Sequence, residues 1–203
     1  MLTQIVLFDG FDPLDVIAPY EVLTAGGMFA DGAIVAKLVS AEGARDVPAG
    51  LDLLNVRATG PLDPGRADLV VVPGAAGRPD EIPAILASTL DTGLPALLAA
   101  ALADPTVTVA TVCGGSLLLA MAGLINGRPA TTHHMGLAQL GQSGPAIDAR
   151  IVDDGDLISA AGVTSGLDLG LYLVERELGS AVALAVEQLI EHQRRGTVWR
   201  AAA

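Results

Sequence analysis

What most constrains this chain is a set of short runs too apolar to lie on a surface. Residues 107–112, Val-Thr-Val-Ala-Thr-Val, are β-branched or small throughout, and residues 69–72, Leu-Val-Val-Val, carry no polar side chain. Strands of this kind are buried on both faces, as in a parallel sheet covered by helices. Residues 4–8 read as another short buried strand and residues 33–40 as a further strand. Helical segments fall between them. After the turn at residues 9–13, Leu14, Val16, Ile17, Tyr20, Val22 and Leu23 recur at roughly helical spacing, with Pro13 suited to the first turn. Gly26-Gly27 is the expected end of that helix. Residues 82–90, 94–103, 115–122, 167–178 and 181–194 also read as helical, and residues 47–56 as a turn with an extended piece. Residues 151–159 hold Asp154-Gly155 between two extended runs, the pattern of a β-hairpin. Strand and helix alternate, so the expected fold is α/β, a mostly parallel sheet with helices on both faces.

The 203 residues suit a single domain, 1–203, with no internal repeat and no low-complexity linker. Hydrophobic residues make up 51% and aromatics only 3%, so the core is built from Ala, Val, Leu and Ile. Lysine and arginine number 11 against 23 acidic residues, a formal charge of −12. Such a surface repels nucleic acid, which needs basic patches, and no nucleic-acid partner is expected. No run is long and apolar enough to span a bilayer, and the N-terminus lacks a basic segment before its apolar residues. The expectation is a cytoplasmic protein with no membrane partner. The single cysteine excludes an internal disulfide framework and suits a reducing compartment. From residue 194 the chain carries Arg194, Arg195, Trp199 and Arg200, and it reads as a frayed, solvated basic tail.

That cysteine, Cys113, stands where the strand at 107–112 meets a run of helix formers, and Gly114-Gly115 follows it. Glycines there allow a sharp turn and close approach of a ligand. A thiol at the start of a helix is expected to favour its thiolate. Cys113 therefore reads as an elbow nucleophile rather than a small core filler. In an α/β sheet, ligands bind beyond the carboxyl ends of the strands. Two more loops converge there, the one leading to Asp15 and the one carrying Pro73-Gly74-Ala75-Ala76-Gly77.

Asp12 is well placed as the cap of the first helix. Asp15, inside an apolar string, either favours the positive helix end or shares a proton with the thiol and activates a water. Glu21 is its rival on the same helix; six residues apart, the two lie on nearly opposite faces, so only one faces the pocket. The amides of Gly74, Ala75 and Gly114 are candidates for an anion hole. His133 and His134 read either as a base for the thiol or as loop residues with hydrogen-bonding roles. His192 reads as a surface residue. The histidines and the cysteine show no metal-ligand spacing, so no metal is expected. Thr164 or Ser165 either caps the helix that follows or belongs to a loop closing over the pocket, and Asp168 suits that helix's positive end.

These segments together resemble the ThiJ/PfpI superfamily, related to class I glutamine amidotransferases, and within it the isonitrile hydratase branch and the amidase-like domains of AraC-type regulators. The resemblance rests on Leu14-Asp15-Val16-Ile17-Ala18-Pro19-Tyr20-Glu21-Val22-Leu23, Val72-Pro73-Gly74, Thr111-Val112-Cys113-Gly114-Gly115-Ser116, Ala122-Gly123-Leu124-Ile125-Asn126-Gly127, Ala130-Thr131-Thr132-His133 and Gly162-Val163-Thr164-Ser165-Gly166-Leu167-Asp168, in the family's order from about residue 4 to about residue 190. It implies a flavodoxin-like three-layer sandwich and a homodimer. It implies Cys113 as nucleophile and Asp15 as its acidic partner, acting on a small-molecule substrate without metal or organic cofactor. In the hydratase branch the thiolate attacks the terminal isonitrile carbon and an N-substituted formamide leaves. One position departs from that branch: Gly114 stands where it usually carries threonine. Two other readings accompany the hydratase: a non-catalytic module sensing a ligand or oxidants, and a glyoxalase- or deglycase-like activity on α-oxoaldehydes.

Overall fold

The computed structural model describes residues 1–52 and 54–200. Its main sheet contains β1 (Leu2–Leu7), β2 (Val35–Ser40), β5 (Gly60–Pro61), β6 (Leu69–Val72), β7 (Thr108–Val112), β8 (Ile151–Asp154), β9 (Leu157–Ala160) and β10 (Val198–Arg200). The order across the sheet is β10-β8-β9-β7-β6-β1-β2-β5, parallel throughout except for the β8–β9 pair. β3 (Arg45–Pro48) and β4 (Asn55–Ala58) form a separate antiparallel hairpin. The helices are α1 (Pro13–Met28), α2 (Ile82–Thr89), α3 (Leu94–Ala103), α4 (Gly115–Met121), α5 (Leu137–Leu140), α6 (Ser165–Leu178) and α7 (Ser180–Leu189).

Handedness builds the layers. The crossover from β1 through α1 to β2 runs one way across the sheet, and that from β6 through α2 and α3 to β7 runs the other. Right-handed crossovers in opposite directions place their helices on opposite faces. α1 packs on α6 and α7, while α4 packs between α2 and α5 on the other side. The result is the flavodoxin-like three-layer sandwich. Leu69, Val70, Val71 and Val72 are all buried, as their uninterrupted apolar run requires. The reversal of direction falls between β1 and β6, and the loops leaving the strands there form a crevice.

Several boundaries differ from the sequence expectations, each for a packing reason. α1 does not stop at Gly26-Gly27 but runs on to Met28. A Cβ on Gly26 would press on Val174 of α6, and one on Gly27 would strike the Ile34 carbonyl, so these glycines serve close packing and not termination. The strand expected from residue 33 begins at Val35, and in place of the turn with one extended piece expected over residues 47–56, two antiparallel strands form, Arg45–Pro48 and Asn55–Ala58. The hairpin expected at 151–159 forms, but β9 also pairs with β7, so it extends the main sheet. α7 ends at Leu189, and Glu191 turns the chain with φ of 50°.

The largest correction concerns the tail, which is not frayed. Val198–Arg200 adds to the sheet beside β8, and Arg194 pairs with Glu175 and Glu187. Residues 201–203 of the expected tail lie outside the described residues. His192 is not a free surface residue either: its Nε2 lies 3.0 Å from Asp168 Oδ1. The sequence carries no local sign of most of these contacts, because apart from Arg194–Glu187, seven residues apart, each joins residues about twenty or more apart.

Candidate active site

Four loops at the carboxyl ends of β1, β6, β7 and β9 meet around Cys113. The thiol sits directly after β7, with φ of 55°, in the left-handed region that a side chain enters only under strain. Neighbours hold the turn. Its N–H donates to the Ala160 and Ala161 carbonyls at 3.1 and 2.9 Å, and its carbonyl accepts from Thr132 Oγ1 at 2.6 Å. Behind it, the Thr111 and Ser116 hydroxyls bond to each other at 2.5 Å. Gly115 begins α4 against the Val72 carbonyl, where no Cβ fits. The strand-to-helix elbow read from Cys-Gly-Gly is thus a strained turn tied down from three sides.

Asp15 lies in the first turn of α1 and is 0% exposed, whereas Glu21 faces solvent. Asp12 caps the helix by accepting from the Leu14 N–H at 2.9 Å, so Asp15 is not needed for that. Asp15 Oδ2 accepts from the Gly74 N–H at 2.9 Å, and the Cys113 thiol is a hydrogen-bonding neighbour of the same carboxyl. Oδ1 has no conventional hydrogen-bond partner in its buried position. Burial first, and then the Asp12 charge, hold the Asp15 carboxyl well above the usual carboxylate range.

The thiol is moved the same way. Burial, followed by the neighbouring Asp15 carboxylate, pushes Cys113 up from 9.0 to about 12. The neighbouring Gly114 and Val163 amides pull in the other direction, without prevailing. The expectation that the helix start favours a thiolate is therefore reversed here. α4 has only two turns, and desolvation beside an acidic group outweighs its dipole. Cys113 and Asp15 form a proton-sharing pair, not a preformed ion pair.

The expected anion hole is only partly assembled. The Gly74 amide is occupied by Asp15. Bonds from Asp12 N–H to the Gly74 carbonyl and from Ala76 N–H to the Gly10 carbonyl flank Ala75, whose own amide is skipped by this ladder. Gly114 approaches the Ala75 nitrogen closely, with an added Cβ 3.7 Å from it. The Gly114 amide thus remains at the thiol, the Val163 amide, which the sequence does not single out, joins it, and Ala75 lines the cavity beside them. Gly114 has helical φ and ψ of −69° and −5°, so its backbone does not demand glycine.

The cavity over the thiol measures about 420 Å3. Ile82, Leu117, Met135 and Val163 give it apolar walls; Asp12, His133 and Gln139 are polar members of the lining, which includes no lysine or arginine among the described residues. His133 is the histidine that lines it, while His134 is exposed with its ring centroid 4.3 Å from that of His133. His133 Nδ1 accepts from the Met135 N–H at 3.3 Å, which leaves the ring proton of the neutral form on Nε2. Burial and the adjacent His134 hold the imidazole below its usual value, favouring that neutral form. Thr164 is not brought into the cavity: its hydroxyl accepts from Arg150 at 3.2 Å and makes no capping bond to α6. No cluster of three or more metal-ligating side chains is present among the described residues.

Comparison with known proteins agrees with this architecture. A stretch of 87 residues is 41% identical to isonitrile hydratase from Pseudomonas putida, covering 41% of this chain and 37% of that protein. A stretch of 86 residues is 31% identical to the HTH-type transcriptional regulator GbdR of Pseudomonas aeruginosa, covering 23% of the regulator. The chain therefore matches little more than a third of these curated relatives at most. Among solved structures, Drosophila melanogaster DJ-1beta superposes with a TM-score of 0.79 at 19% identity, over 95% of this chain and 98% of that one. A ThiJ/PfpI family protein from Pseudomonas syringae gives 0.79 at 23%, over 96% of this chain and 76% of that one. The model of the DJ-1/PfpI family matches residues 3–176, and the chain belongs to that family.

Proposed function

We propose that this protein hydrates a small, neutral isonitrile to an N-substituted formamide, with Cys113 as nucleophile and Asp15 as general acid and base. The observation that carries this reading is the buried Asp15 carboxyl, bonded to Gly74 where that loop packs on the Cys113 elbow, beside an apolar cavity lined by the thiol. Addition to an isonitrile puts the nucleophile and a proton on the same terminal carbon, and adjacent sulfur and carboxyl groups suit that demand. Sulfur bonds to the carbon while the thiol proton passes through Asp15 to the same atom, giving an S-bound thioimidate, R–N=CH–S. Asp15 next takes a proton from water as the oxygen adds to that carbon and passes it to the nitrogen, giving R–NH–CH(OH)–S. Collapse expels the sulfur, which takes the hydroxyl proton by way of Asp15, and R–NH–CHO departs. Each turn consumes one isonitrile and one water and returns the enzyme unchanged.

Electrostatics favour a neutral substrate. Asp12 and Asp15 lie beside the reacting centre and no cation lines the cavity among the described residues, so an anionic group would be repelled. A carboxylate raised by burial is a stronger base than an ordinary one, which suits removal of a proton from a thiol at about 12. The amides of Ala75, Gly114 and Val163 are the donors available as charge moves off the sulfur. The partial likeness to an isonitrile hydratase supports the same reading. A cytoplasmic homodimer belongs to it as well, and no single helix among the described residues is long and apolar enough to cross a membrane.

A second reading, a ligand-sensing module without turnover, is favoured by one finding: part of the chain resembles a transcriptional regulator. The experiment that separates them is formamide formation from an aryl isonitrile by the purified protein, with Cys113→Ala beside it. Cysteine-dependent turnover sustains the hydratase. A folded wild type with a free thiol and no turnover rejects it, and lactate formation from methylglyoxal then tests the oxoaldehyde alternative.

A further inference from the structure

The amide that reaches Cys113 from β9 is not held by its own loop alone. Residues 161–164 lead from β9 into α6, and Val163, in the middle of that stretch, lines the cavity beside Cys113, its amide acting to lower the thiol's pKa. Arg150, which lies just before β8, grips both ends of it. Its backbone carbonyl accepts from the Ala161 N–H at 3.0 Å. Its Nη2 donates to Thr164 Oγ1 at 3.2 Å, and its Nε donates to Asp168 Oδ2 at 2.6 Å. Asp168, one turn into α6, is 1% exposed, so this ion pair is anchored in the interior. Its other oxygen is also filled: Oδ1 lies 3.0 Å from His192 Nε2 and accepts from the Arg195 N–H at 3.0 Å. The C-terminal segment thus locks the carboxylate that locks Arg150, and Gly196 packs its backbone against the arginine stem, where a Cβ would lie 2.9 Å from Arg150 Cβ.

We propose that Arg150 is a positioning residue for the nucleophile: by its two-point grip on Thr164 and Asp168 it holds the Val163 amide on the Cys113 sulfur. A guanidinium fork reaches two acceptors at fixed separation, which an ammonium does not. The arrangement accounts for a buried carboxylate with four donor contacts beside a loop that makes no helix cap of its own. It acts by geometry, since Asp15 and Asp12 are the charges that act on the thiol and the guanidinium is not among them.

The inference rests on Cys113 as the reacting thiol, but its test needs no substrate and stands whichever reaction Cys113 performs. Native protein is alkylated with iodoacetamide at pH 8, where the rate follows the thiolate fraction. Loss of one amide bond to a sulfur anion is expected to slow alkylation about tenfold in Arg150→Ala. Arg150→Lys, which keeps the charge near Asp168 but not the reach to Thr164, should fall between the two. Arg128→Ala removes a comparable cluster on the hairpin, with Asp154 and Asp156, and should leave the rate unchanged while lowering the melting temperature. If Arg150→Ala does not fold, Thr164→Val and Arg150→Lys carry the test, each expected to be several-fold slow. Rates at or above wild type in the Arg150 and Thr164 variants, full recovery by Arg150→Lys, or equal slowing in Arg128→Ala would each overturn the proposal.

Discussion

Replacing Gly74 by alanine tests whether the close meeting of three loops is what makes the site. The new Cβ would lie 2.9 Å from Gly114 Cα and 3.0 Å from Asp15 Oδ2, and closer still to the Gly114 nitrogen. Non-bonded heavy atoms settle at about 3.5–4.0 Å, so the β6 loop and the Cys113 elbow must separate by roughly 1 Å. The substitution keeps the Gly74 N–H that bonds Asp15, so it changes distance and not hydrogen-bonding capacity. A misplacement of that size costs about 100-fold in rate when the reacting groups must be aligned. Overpacking of a tight interior costs about 1–3 kcal/mol, or roughly 3–10 °C for a chain of this length. The assay is formamide formation from an aryl isonitrile together with a thermal melt. Gly93→Ala serves as control, because nothing lies within 4 Å of its added Cβ. Full turnover by Gly74→Ala, with a melting temperature equal to the control, would refute the argument that loop separation sets the chemistry.

Other outcomes follow from the same geometry. Cys113→Ala should abolish turnover, and Cys113→Gly should be the more stable of the two by about 1 kcal/mol in urea denaturation, because φ of 55° strains any side chain. Asp15→Asn should lower turnover by about 10²-fold or more. It should also stabilise the fold increasingly as pH rises above about 4: a carboxyl raised in the fold contributes stability below its unfolded pKa and loses it as pH climbs through the folded one, and asparagine has nothing to lose. Equal gaps between the two proteins at pH 4 and pH 7 would contradict that sign. Asp168→Ala strands a half-buried Arg150 and should cost about 3–5 kcal/mol by chemical denaturation. Nitrogen NMR should find the neutral His133 ring protonated on Nε2, with its midpoint below that of an exposed histidine.

What the chain reveals about itself follows physical range. The apolar runs at 69–72 and 108–112 announce buried parallel strands because their pattern is local, and Cys-Gly-Gly after one of them announces an elbow for the same reason. Helical geometry alone requires that only one of Asp15 and Glu21 face inward, and Asp15 is the buried one. Gly26-Gly27 misled because a glycine pair signals a stop and a close approach equally, and only Val174 and Ile34, distant in sequence, decide between them. The C-terminal segment misled for a like reason: Arg194 reads as solvated until Glu175 and Glu187 are brought beside it, and the Arg195 backbone N–H reaches Asp168, although the Arg195 and Arg200 side chains do stay exposed. The ionisation of Cys113 was the least legible, since a dipole argument needs only the helix while desolvation needs the whole surrounding.

That last point bears on mechanism. Proteins that rely on a standing thiolate surround it with cations or amides enough to outweigh burial. Here burial and two aspartates win, and a positive φ adds strain at the same residue. Each of these features opposes stability, and the compensation lies elsewhere in the fold: in Thr132, in the Thr111–Ser116 pair and in the Arg150–Asp168 clamp. Under the proposed mechanism, a site held this way keeps its proton until a neutral electrophile arrives and releases it toward the neighbouring Asp15 carboxyl. The reaction it suits is one in which nucleophile and proton are delivered together. It follows that turnover should show a solvent deuterium isotope effect above 1 on kcat/KM at pH 7 if sulfur attack and proton transfer share a transition state. A value of 1, with chemistry shown to limit that step, would mean that the thiolate forms beforehand and that Asp15 has some other task.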